Sequence, residues 1–90
     1  MTPAHVPRLA RGCRLREDAD QGWVLLIPEG VLRLSGPGPQ ILRRCDGSRT
    51  FGDIVTELTQ EIAATDAARV AGETAAFLER LIERRIVVVE

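Results

Sequence analysis

Residues 23–34 read WVLLIPEGVLRL, two apolar runs separated by Pro28, Glu29 and Gly30. Proline pre-sets φ and glycine accepts φ > 0, so this punctuation predicts two antiparallel strands joined by a tight turn. Upstream, CRLRE at 13–17 predicts another strand, reached through the turn-rich Asp18-Ala19-Asp20-Gln21-Gly22. The whole reads as a three-stranded antiparallel meander. WVLLI is apolar without interruption, as suits the centre of a small sheet, while both flanking strands carry charge. The edges differ. Arg14, Arg16 and Glu17 blunt the first strand, whereas Val31-Leu32-Arg33-Leu34 holds one charge and no proline, leaving its backbone groups open to another chain. Alternation lets Leu32 and Leu34 pack inward while Val31 and Arg33 face outward.

After Ser35 the periodicity becomes helical. In GPGP, Pro37 and Pro39 fall where a first turn tolerates missing N–H donors, and Ile41, Leu42 and Cys45 form a short apolar stripe. Thr50 as N-cap, with Asp53 three residues on, predicts a second helix that places Ile54, Val55, Leu58 and Ile62 on one face and ends near Ala63. Thr65 or Asp66 caps a third and longest helix. Its apolar face runs Val70, Thr74, Phe77, Leu78, Leu81 and Ile82, with Glu79, Arg80, Glu83 and Arg84 toward solvent. The β-branched end, residues 86–89, predicts a short C-terminal strand. Residues 1–12 carry Pro3, Pro7 and Gly12 with little periodicity, and are expected as a flexible N-terminal arm outside a single 13–90 domain.

The chain has 90 residues, one domain's length; at this size roughly 60–65% of the unfolded surface is buried on folding. A composition 44% hydrophobic and 28% charged is that of an ordinary globule. Twelve basic residues, all Arg, against 13 acidic ones give a net charge of −1, which does not point to a polyanionic partner. MTPAHVPRLARG lacks a signal peptide's apolar run, and the longest apolar block, residues 23–27, is too short for a bilayer. A cytoplasmic protein without membrane association is expected.

RRCDGSRT at 43–50 is the stretch densest in reactive side chains. A thiol beside a carboxylate among arginines has the composition of an activated nucleophile. It also has that of a helix-to-helix corner: Cys45 extends the inward stripe, Asp46 bonds the turn's backbone, Gly47 takes the left-handed position and Thr50 caps the next helix. The corner reading is the stronger, because the single histidine, His5, lies in the expected arm and no acid/base pair is evident. Cys13 and Cys45 form no CxxC pair and no four-ligand metal set, and read as free thiols. GPGP matches neither phosphate-loop pattern, and its prolines remove two N–H donors. No catalytic residue, cofactor or metal site is therefore expected.

PRLARGCRL at 7–15, LLIPEGVLRL at 25–34, ILRRCDG at 41–47 and FLERL at 77–81, in this order and spacing, make the chain resemble the PqqD family of pyrroloquinoline quinone biosynthesis over about residues 7–89. The resemblance implies an α+β, winged-helix-like domain: a three-stranded antiparallel sheet, then three helices. It implies a non-catalytic peptide chaperone that binds the ribosomal precursor peptide PqqA and presents it to the radical SAM enzyme PqqE, which cross-links a Glu and a Tyr of that peptide. The peptide would add as a strand beside Val31, Leu32, Arg33 and Leu34. The groove's helix wall would be Val70, Glu73, Phe77 and Arg80, with Arg69 at its N-terminal end. The chain departs from the family pattern at GPGP, where a more ordinary helix start is expected, and at Ile86, where a Gly-Leu ending is common. A small winged-helix DNA-binding regulator is the alternative, opposed by the acidic series Asp53, Glu57 and Glu61 on the second helix. An open strand edge also allows a homodimer.

Overall fold

The computed structural model describes residues 1–90. Its elements in chain order are β1 (Pro7–Leu9), β2 (Arg14–Asp18), β3 (Gly22–Ile27), β4 (Gly30–Arg33), α1 (Gly38–Arg43), α2 (Phe51–Glu61), α3 (Ala67–Glu83) and β5 (Val87–Val89). β2, β3 and β4 form the antiparallel meander in that order, so β3, the uninterrupted apolar run, is central and β4 is an edge. Register pairs Leu25 with Leu32 and Val24 with Arg33. Successive side chains alternate faces. Leu25 and Leu32 thus lie toward the core, while Val31 and Arg33 lie on the outer face, where Val31 is 53% exposed.

The helices start where the sequence supplies caps. Thr50 Oγ1 accepts from Asp53 N–H and Asp53 Oδ2 accepts from Thr50 N–H, each at 3.1 Å, a complete capping box. Asp66 caps α3 by accepting from Arg69 N–H at 3.0 Å. α1 begins at Gly38 after Pro37 and has no side-chain cap. Leu25 and Ile27 of β3, Ile41 and Leu42 of α1, Ile54 and Leu58 of α2, and Leu78 and Leu81 of α3 meet in one buried cluster. Sheet and helices are two layers around one core. No helix is long and apolar enough to cross a membrane.

The N-terminal segment departs from the expected flexible arm. β1 pairs antiparallel with β5, matching Pro7 to Val89 and Leu9 to Val87, and Pro7 is fully buried. Phe51 N–H donates to His5 O at 2.7 Å, and Gly52 N–H to Pro3 O at 3.0 Å. Residues 3–9 are therefore built into the same core-bearing unit as 13–90. The prolines resemble loop punctuation, yet Pro7 occupies the first residue of a strand, where a missing N–H is tolerated. β1's partner lies at the other end of the chain, out of reach of any local pattern.

Candidate functional site

β4 carries an unpaired edge. Leu34 N–H donates to Trp23 O at 3.0 Å, extending the β3–β4 ladder by one residue. Hydrogen-bonded and non-bonded pairs alternate in an antiparallel ladder. Leu32 and Leu34 therefore bond inward to β3, and the N–H and C=O of Val31 and Arg33 point to the free edge. No proline or bulge interrupts them. This is the geometry to which an extended chain adds as a further strand.

Beyond that edge lies a cleft of about 390 Å³ bounded by Arg33 and Leu34 of the strand end, the Ser35–Gly38 turn, Ile41, the end of α2 and one face of α3. α3 contributes Val70, Glu73, Thr74, Phe77 and Arg80, recurring at three- and four-residue intervals as a single helical face. Val70, Thr74 and Leu58 are buried, Phe77 is half-buried, and Ile62 stays 45% exposed at the mouth. The floor is apolar and the rim charged. Glu73 accepts from Arg69 at 3.2 Å, whereas neither Arg33 nor Arg80 forms an ion pair.

Of the residues expected at the site, Arg33, Leu34, Val70, Glu73, Phe77 and Arg80 border this one cleft. Val31 lies apart on the outer sheet face and meets the groove only through its backbone edge. Leu32 turns into the core, and Arg69 stands outside the cleft, its side chain 76% exposed. Sequence reasoning assigned Ile62 and Thr74 to core stripes and did not place the Ser35–Gly38 turn at the site. The available signal was Ile62, which prolongs the α2 stripe past the helix end.

RRCDGSRT forms the α1–α2 corner, and its polar groups are occupied. Arg44, whose side chain is only 15% exposed, donates to Glu57 at 3.0 Å, to Glu61 and to Gln40 O at 2.9 Å. Arg49 holds both Glu57 oxygens at 3.1 Å and Asp46 at 2.9 Å. Arg43 lies over the Trp23 ring at 6.0 Å. Asp46 Oδ1 accepts from the Ser48 hydroxyl and N–H at 2.6 and 2.9 Å, which, with Arg49 nearby, holds its carboxyl below the usual range. Cys45 lies past the end of α1. Its buried Sγ donates to Ile41 O at 3.3 Å, and burial, with the Asp46 charge, pushes the thiol up to about 12. Such a thiol is not a nucleophile near neutral pH. Of the two adjacent arginines, Arg43 is exposed and Arg44 is largely buried. Of the acidic series on α2, Asp53 is a cap and Glu57 and Glu61 are ion-paired, so no free acidic stripe remains.

The family model for coenzyme PQQ synthesis protein D matches residues 22–87, the span from β3 to β5 that contains the edge, the cleft and the corner. The chain belongs to the PqqD family. A PqqA binding protein of Xanthomonas axonopodis pv. citri (strain 306) is 36% identical over 81 residues, 89% of this chain and 87% of the relative. One from Stutzerimonas stutzeri (strain A1501) is 38% identical over 80 residues, 88% and 85% of the two chains. The fold is similar to the solution structure of the PqqD part of Methylobacterium extorquens PqqCD, with a TM-score of 0.78 and 34% identity over 92% of this chain and 88% of that one. That protein is described as a functional, stand-alone recognition element for ribosomally synthesized and post-translationally modified peptides. PqqD-family membership extends across the expected α+β architecture of three antiparallel strands, three helices and a short terminal strand.

Proposed function

We propose that the chain is a non-catalytic chaperone of pyrroloquinoline quinone biosynthesis, a winged-helix-like domain that binds a PqqA-type precursor peptide and presents it to the radical SAM enzyme PqqE. The reading is carried by one observation: the unpaired β4 edge runs directly into the cleft against α3. Backbone bonds at Val31 and Arg33 would supply affinity independent of side chains, and the cleft would select the peptide's own. Relatives named for PqqA binding support the choice of ligand.

Holding a flexible peptide extended lowers the entropic cost of placing it at another enzyme's site, which is the service a chaperone of this kind performs. Arg33, Val70, Glu73, Phe77 and Arg80 act as the side-chain contacts, and Val31 as a backbone contact. The DNA-binding alternative draws no support from the unpaired arginines here, since Arg33 and Arg80 flank an apolar cleft rather than form a basic stripe. Calorimetric titration of PqqA peptide into the protein, with and without PqqE, tests the proposal. Saturable one-to-one binding is expected, with a ternary complex when PqqE is added. Absence of peptide binding under both conditions overturns it.

A further inference from the structure

We infer that the cleft selects a carboxylate together with an apolar side chain: an extended peptide seats an apolar residue between Ile62 and Val70 and brings an Asp or Glu to Arg33 and Arg80. The inference rests on the peptide-binding reading above and adds the chemistry of the ligand.

Charge is the first ground. Arg8, Arg16, Arg43, Arg44, Arg49 and Arg69 have carboxylate partners within the chain; Arg33 and Arg80 have none, as is true of Arg11, Arg14, Arg84 and Arg85, but of these six only Arg33 and Arg80 border the cleft. Glu73, the one carboxylate lining the cleft, is engaged by Arg69 at 3.2 Å. It also lies about 10 Å from Arg80 along the helix axis. An incoming carboxylate therefore meets two unengaged guanidinium groups and displaces no existing pair.

Position is the second. A methyl group placed on Gly38 would lie 3.4 Å from Phe77 Cζ and 3.8 Å from Leu34 Cβ, so strand end and helix approach each other at this level. Arg33 directly precedes Leu34, and Arg80 sits one helical turn beyond Phe77. Arg33 leaves the strand on its outer face, yet at the strand end it borders the same cleft as Arg80. At the opposite end Val70 and Leu58 are buried and Ile62 is 45% exposed, an apolar surface left for a partner to cover. Val70 and Arg80 are separated by about 15 Å along α3, a span an extended peptide crosses in about four or five residues. The recognised element is accordingly short, with its apolar and acidic side chains within that window.

Fluorescence anisotropy with two labelled probes tests this: the PqqA peptide, and the same peptide with every Asp and Glu replaced by Asn and Gln. Each is titrated with the wild-type chain, Arg33→Gln, Arg80→Gln and Arg80→Lys. The amidated probe is expected to bind the wild type about tenfold more weakly, and each Arg→Gln change to weaken the parent probe about fivefold. The losses should not add: the amidated probe should bind wild type and Gln variants alike, and Arg80→Lys should keep most of the affinity. Equal binding of the two probes, or Gln variants that weaken both probes equally, overturns the inference while leaving peptide binding standing. A parent probe that does not bind at all overturns the peptide-binding reading itself, and the inference with it.

Discussion

The α1–α2 corner and the β4 edge both bring arginines to half-open surface, and they differ in what is left unused. At the corner, Arg44 and Arg49 are held by Glu57, Glu61 and Asp46, Asp46 is bonded by Ser48, and the Cys45 thiol is buried. At the edge, two residues' backbone groups face outward, Arg33 and Arg80 lack partners, and Ile62 is exposed beside a cleft. Reactive composition drew the eye to the first. Unsatisfied valence marks the second, because groups already paired within a fold have little left to give a ligand.

The contrast breaks most readily at the edge. Arg33→Pro removes an N–H that points away from β3, costs no ladder bond, and restricts Leu32 to the extended backbone it already has. Peptide affinity is expected to fall about 30-fold with the thermal midpoint lowered by only a few degrees, read by titration and calorimetry on the same preparation. It is a cleaner probe than a polar substitution at Leu32, which packs against the core. Arg44→Ala should do the reverse. It takes one of two arginine partners from each of Glu57 and Glu61, which Arg49 and Arg43 still hold, and both carboxylates are over a third exposed, so the loss is about 1 kcal/mol in urea unfolding, with the folded protein binding peptide within about twofold of wild type.

The smallest effect concerns acid. Asp46's carboxyl is depressed in the folded state, so its contribution is present above the unfolded value and disappears as pH falls through the lower folded value. Urea midpoints between about pH 5 and pH 2 should therefore fall less steeply in Asp46→Asn than in wild type. An unchanged slope would mean that the corner's hydrogen bonds do not stabilise the ionised form.

Much of the fold is legible locally. WVLLIPEGVLRL alone places two strands and their turn, and Thr50 with Asp53 places the start of α2, because turn and cap chemistry act within a few residues. The β1–β5 pair is not legible, since Pro7 and Val89 stand at opposite ends of the chain and no local pattern links them. Half the cleft lies in the same blind spot. Ile62 and Thr74 sit on apolar helical stripes, and a stripe does not reveal where the core beneath it ends and a groove begins. Arg33 and Arg80 gain meaning only once it is seen in three dimensions that they border one cleft and form no ion pair.

Amide hydrogen exchange of the free and PqqA-saturated chain, resolved residue by residue, tests the edge assignment most directly. Slowed exchange is expected at the Val31 and Arg33 N–H groups, with Asp46–Thr50 unchanged. Unaltered exchange at Val31 and Arg33 in a saturated complex, with protection appearing at the corner or along β2, would contradict it.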